Sequence, residues 1–449
     1  MDRRAFLAAC SVAGLGVSGV LGRALFAATQ AAADQEFFVF VHASGGWDVT
    51  LWADPRNERR GIVEPGSTDN LDIAPIKHWV DRKLDEDTNT FEIVQPKGCN
   101  IPFGPGIGRL VDRADRLCLI NGLAMNTVSH PDGTTYSVTG RHLVGGRVVA
   151  SSIDTMIANE FGKEQTFPSV SIAFPSSYVG DDLDRRVVPL RISNIGAITR
   201  TLTRSERWET SADRDAVTAL LADEARELAK HTQYPGALNG LALQYDALRR
   251  MLGSGLSEVF SVPALKAAQP SLDYKARFAG NAAVNAAFAV EAMKRNVIRC
   301  TSLAMGGFDT HTNNYRQQPL VQQELFGLLH DLLGVLDATP HPTKAGKKLA
   351  DHTHILVVSD FCRTPQINVA QGRDHYPNNS ALVISPRFKR NAVFGKTDPD
   401  QLLPVPTRTF SDGARAFTPA DLLATFVSAF GVNPRKYLRD GEVVPEWLA

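Results

Sequence analysis

Three apolar, β-branched runs in this chain each end abruptly in a small polar cluster, and that shared design restricts what it can fold into. Phe37-Phe-Val-Phe-Val-His-Ala runs into Ser44-Gly45-Gly46-Trp47-Asp48. Val297-Ile-Arg-Cys-Thr-Ser-Leu-Ala-Met runs into Gly306-Gly307-Phe308-Asp309-Thr310-His311. Ile355-Leu-Val-Val runs into Ser359-Asp360-Phe361-Cys362-Arg363-Thr364-Pro365. A continuous apolar run is how a strand buried on both faces reads, and such strands belong to parallel sheets. Open α/β sheets hold their sites at the C-terminal edge of the strands. Three strand ends carrying acids and histidines therefore predict one convergent polar site, most simply a metal site.

With 449 residues, 43% of them hydrophobic, the chain has material for a large buried core. Lys+Arg and Asp+Glu both number 48, so the net charge is zero and no basic excess points to nucleic acid. Asp2-Arg3-Arg4-Ala5-Phe6-Leu7, a weakly apolar stretch and Ala31-Ala32-Ala33 read as a twin-arginine export signal over residues 1–33. An N-terminal anchor that is never cut is the alternative. After Ala33 no stretch reaches the roughly 18 uninterrupted apolar residues of a spanning helix. The expectation is a periplasmic or secreted chain with no stable membrane span once the signal is removed. Cys118 and Cys300 sit in apolar, strand-like runs, where a cysteine is a small buried hydrophobe, so no structural disulfide is expected.

Strands and helices alternate along the chain, which predicts an α/β fold with a doubly wound, mostly parallel sheet and helices on both faces. Strands are expected at 37–42, 117–121, 169–173 and 381–385, and helices at 107–114, 152–161, 276–295 and 318–336. Thr418-Pro419-Ala420-Asp421 opens a last helix with a good cap and proline at its first position. Residues 126–146 read as a polar segment. At about 203–269 the amphipathic patterns 213–231 and 237–251 predict a helical insert.

Asp309 and His311 stand two positions apart after a strand, and carboxylate plus imidazole suits zinc, manganese or iron. Taken alone, Asp-Thr-His is also a capped turn. Paired glycines before Asp309, as before Asp48, let backbone approach a ligand closely. Asp360 ends the third run as a ligand or as a helix N-cap. Arg363 offers a planar fork to an anionic substrate, or a salt bridge to a ligand carboxylate. His375, in Gly372-Arg373-Asp374-His375, is a further ligand. The nucleophile expected is Ser129, as a metal-activated alkoxide, ahead of Thr127 and Thr134. His130 is a ligand or a loop histidine. His42, His352 and His354 are expected to pack or to hydrogen-bond.

Gly-Gly-x-Asp near the mature N-terminus, Gly-Gly-Phe-Asp-Thr-His, Ser-Asp-Phe-x-Arg-Thr-Pro and Gly-x-Asp-His together resemble an exported bacterial family classed only as a domain of unknown function. That family belongs with the alkaline phosphatase and sulfatase superfamily. The resemblance covers essentially the whole mature chain and implies an alkaline-phosphatase-like domain over 34–449. It also implies one or two divalent ions (zinc, manganese or calcium). By this similarity Asp48 and Asp360 would bind one ion, with Ser129 bridging toward it, and Asp309, His311 and His375 would bind the other. Ser129-His130-Pro131 and Thr139-Gly140-Arg141 resemble the sulfatase nucleophile segment. Phe361 stands where the superfamily has a histidine, and Asp309 and His311 are closer together than its common spacing. A complete two-metal set is therefore not implied. The expected function is an exported, metal-dependent hydrolase of small anionic esters of sulfate or phosphate, with Arg363 or Arg141 neutralising the transferred group. The alternative is a non-catalytic exported binding or assembly protein that keeps the fold.

Overall fold

The computed structural model describes residues 36–55, 93–180, 182–202, 211–232 and 256–449, with positions 238, 242 and 245. The expected export signal lies outside the described residues. Ten strands position the site: β1 (Phe37–Ala43), β2 (Leu117–Ala124), β3 (Phe167–Ile172), β4 (Leu190–Ile192), β5 (Ile298–Met305), β6 (Thr353–Ser359), β7 (Cys362–Arg363), β8 (His375–Tyr376), β9 (Asn378–Ile384) and β10 (Ala392–Phe394). Eight of them form one sheet, ordered β10-β2-β9-β6-β1-β5-β3-β4, while β7 and β8 pair separately.

The three apolar runs lie side by side at the centre. β1 is parallel to both β5 and β6, with His42 level with Ala304 and Val358. β3, β4 and β10 are also parallel to their neighbours. β9 alone is reversed, antiparallel to β6 and to β2. The architecture is thus α/β with a mixed, mostly parallel sheet.

Strand alternation sends successive side chains to opposite faces. Phe37, Val39 and Val41 join one core with helices α3 (Gly280–Lys294) and α4 (Asn314–Ala338) and the 3-10 segment Pro105–Arg116. Phe38 and Phe40 join the opposite core with α2 (Ile153–Phe161) and α5 (Pro419–Ser428). Both faces are covered, which is why the central strands read as continuous apolar runs. Cys118 and Cys300 are buried free thiols in the second core.

Some elements depart from expectation; α3, for one, begins four residues after the expected start. The polar segment 126–146 contains a helix, α1 (His130–Thr139), with Ser129 at its N-cap, Pro131 in its first turn and left-handed Gly140 at its end. α4 begins four residues before the expected start and carries Pro319 inside it. The pattern at 213–231 coincides with a helix, Ser211–Ala229. Apart from positions 238, 242 and 245, residues 237–251 lie outside the described residues. Among the described residues no helix is long and apolar enough to cross a membrane.

Candidate metal centre

β1, β2, β5 and β6 all end at one edge of the sheet, and the reversed β9 begins there. The segments following β1, β2, β5 and β6 therefore meet outside that edge, where open α/β sheets bind ligands. Asp309 and His311 follow β5, and His130 opens α1 after β2. His375 lies in β8, level with Arg363 of β7.

Ligand atoms of His130, Asp309, His311 and His375 all lie within 4.8 Å of one another. Asp309 Oδ1 is 3.3 Å from His311 Nε2, 3.6 Å from His130 Nε2 and 3.9 Å from His375 Nε2. The Nε2 atoms of His311 and His375 stand 2.9 Å apart. A tetrahedral zinc ion with bonds of about 2.0–2.1 Å separates its ligands by roughly 3.3–3.4 Å, the scale of these gaps.

The opposite nitrogen of each ring fixes what the cluster can accept. His130 Nδ1 lies 2.6 Å from Asp360 Oδ2, His311 Nδ1 lies 2.7 Å from Asp374 Oδ1, and His375 Nδ1 lies 2.7 Å from the Val128 carbonyl. An ionised carboxylate and a carbonyl only accept, so each Nδ1–H donates and each neutral ring keeps its lone pair on Nε2. With neutral rings, three lone pairs and a carboxylate oxygen then face one small volume, a repulsive arrangement that a bound cation or a proton on one ring relieves. His130 Nε2 is buried and makes no hydrogen bond. Metal-binding histidines are held in this manner, through the second ring nitrogen.

Charge and packing support the same four groups. Burial alone would raise the Asp309 carboxyl, but Arg363, 2.7 Å away, outweighs it and holds the pKa below the ordinary range. Burial likewise would raise Asp360, and His42 and His130 drive it well below the usual carboxylate range. The hydrogen bond to Asp360 raises His130, whereas burial lowers His375. Phe361 is fully buried, with ring centroids 4.9 Å from His130 and 4.6 Å from His375, and forms an apolar floor beneath both imidazoles. Gly45 has φ +117°, and a Cβ there would stand 2.5 Å from the backbone nitrogen of Asp309.

The sequence pattern described as Protein of unknown function (DUF1501) matches residues 37–442, from β1 to beyond α5. The chain belongs to the DUF1501 family. A search among curated proteins returns no match.

In this DUF1501 chain the expected site residues divide. Asp309, His311 and His375 come together as proposed ligands. Asp48 and Asp360, expected to bind a second ion, do not join them. Asp48 is fully buried, accepting from Thr50 and Asn314 with Arg373 Nε 3.3 Å away. Asp360 stands behind the cluster, holding His130, Thr134 and the Gly45 N–H. Arg363, expected to grip an anionic substrate, instead spends four of its five N–H groups on Asp309 and the carbonyls of Gly45, Gly46 and Arg373. Its alternative reading, a salt bridge to a ligand carboxylate, is the one observed. Arg141 lies past the far end of α1, roughly 15 Å of helix from His130, with Asp440 3.9 Å away. Ser129 is exposed, and its hydroxyl makes no capping bond. In the sequence alone His130 reads equally as a ligand or a loop histidine. Its place next to Pro131 in a first helical turn was the usable signal.

Proposed function

We propose that this chain is an exported metal-dependent hydrolase that works with one divalent ion, bound by His130, Asp309, His311 and His375. The observation that carries the reading is the convergence of three imidazole lone pairs and one carboxylate oxygen, each ring locked from behind. The three-nitrogen, one-oxygen donor set favours zinc over manganese. It weighs against calcium, which takes six to eight oxygen ligands. Asp309 and His311 are 52% and 45% exposed, so the centre is open to substrate. Such an ion polarises an ester oxygen and activates water or a hydroxyl. Of the chain's own residues, Ser129 presents an uncommitted hydroxyl next to a ligand, Phe361 keeps water from beneath the rings, and Arg363 keeps Asp309 ionised. Sulfate or phosphate esters are the substrate class that the resemblance to the phosphatase and sulfatase superfamily suggests. Neutralisation of the ester by Arg363 or Arg141 is no part of this proposal, since both side chains are engaged elsewhere.

One observation favours a second reading, a non-catalytic exported binding or assembly protein. Four protein donors fill a tetrahedral shell, as structural ion sites do, whereas catalytic sites leave a position open. Metal analysis of purified protein, followed by an aryl phosphate and aryl sulfate screen, separates the two. The expected result is one zinc per chain, with turnover that Asp309→Ala abolishes and Ser129→Ala reduces. Zinc without turnover selects the second reading. Folded protein that takes up no metal refutes the enzyme reading.

A further inference from the structure

We infer that His42 is a positioning residue for the metal centre, acting through the buried chain Ser44–His42–Asp360–His130 to hold the His130 ring with Nε2 toward the other ligands. The inference rests on the ion-binding reading above. His42 is the penultimate residue of β1 and is 1% exposed, too deep to touch a ligand itself. Its Nε2 lies 3.0 Å from Asp360 Oδ1, an ion-pair contact off the line of a hydrogen bond, and its Nδ1 lies 2.8 Å from Ser44 Oγ. Asp360 can only accept, so His42 Nε2 carries the hydrogen and Nδ1 accepts from the Ser44 hydroxyl.

Asp360 is thereby enclosed on both oxygens. Oδ1 meets His42 and Thr134, the latter at 3.0 Å, while Oδ2 meets His130 at 2.6 Å and the Gly45 N–H at 3.1 Å. A carboxylate has about four acceptor positions; here two take hydrogen bonds from α1, one takes the Gly45 N–H, and His42 Nε2 faces the fourth. His42 supplies the donor from the sheet interior, opposite His130. Without it a buried carboxylate keeps one donor on Oδ1, which is costly in a dry interior. The cheapest repair is for the carboxyl to turn away from His130. The ring then loses the contact that sets its tautomer and tilt. Outer partners of metal-binding histidines typically carry 10–100-fold in metal affinity.

The test compares wild type with His42→Leu, which removes the donor, and His42→Gln, whose amide N–H reaches close to the Nε2 position. Zinc affinity is measured by competition with a chromophoric chelator. The His130 tautomer is read in metal-free protein by long-range proton–nitrogen NMR of labelled imidazoles, and metal-free thermal unfolding reports folding alone. The expected result is His42→Leu binding zinc about 10–100-fold more weakly, with His130 no longer confined to the Nδ1–H form, and His42→Gln close to wild type in both. A purely structural role would lower the unfolding temperature and leave affinity and tautomer unmoved, which overturns the inference. If His42→Leu does not fold, His42→Asn, whose amide falls short of Asp360, replaces it with the same expectations. If wild type takes up no zinc but the tautomer still shifts in the variant, the positioning role stands and the ion reading falls.

Discussion

Arg363 carries a full charge where no water reaches it, and the chain surrounds it with acceptors instead. Three backbone carbonyls and Asp309 share its N–H groups. Arg363→Met leaves buried carbonyls without a donor and is expected to cost about 1–3 kcal/mol, the scale for an unsatisfied buried polar group, measured by urea unfolding of metal-free protein. It should also let the Asp309 carboxyl rise toward its ordinary range and weaken zinc binding. The types of residue at the strand ends were legible in the sequence, but their division of labour was not. Asp48, Asp309 and Asp360 each stand at or just after a strand end. What separates them is depth and the neighbour that each meets: Arg373 and Asn314 for Asp48, the imidazoles for Asp309, His42 and His130 for Asp360. Spacing along one strand carries no record of partners contributed by another.

Strands were easier to read than helices because burial on both faces leaves one unambiguous pattern. α1 was missed for a physical reason. Its sequence, His-Pro-Asp-Gly-Thr-Thr-Tyr-Ser-Val-Thr, is rich in poor helix formers. The glycine that weakens it most is required by packing, since a Cβ on Gly133 would stand 2.5 Å from the Asp360 carbonyl oxygen. Tertiary contact with the end of β6 therefore overrides local preference. α5 is the opposite case, since its start was legible. Thr418 accepts from the Asp421 N–H, and the Asp421 carboxylate returns to the Thr418 N–H. Thr418→Ala should cost about 1 kcal/mol, seen as a lower urea midpoint with an unchanged denaturant slope. Zinc affinity should not move.

The far side of the molecule holds a second charged cluster. Glu36 is buried just before β1, with His352 Nδ1 at 3.0 Å, His354 Nε2 at 3.1 Å, and Arg387 and Lys344 more distant. Burial alone would raise this carboxyl, but His354 and His352 prevail and lower it to about 2. The unfolded group binds its proton near pH 4.5. The contribution to stability, at most about 3 kcal/mol, is therefore complete above pH 4.5 and is lost as pH falls toward 2. Unfolding of wild type against Glu36→Gln should show the difference between them shrinking across that window. At the opposite edge, the cluster assembles only in the finished sheet: 230 positions separate His130 from Asp360, the carboxylate that holds its ring. Loops of that length close slowly, so pairing of β1, β5 and β6 precedes completion of the centre. The proposed ion is therefore not expected to act as a template. Zinc should leave the refolding rate unchanged and slow unfolding alone, making it a lock fitted to a structure already built.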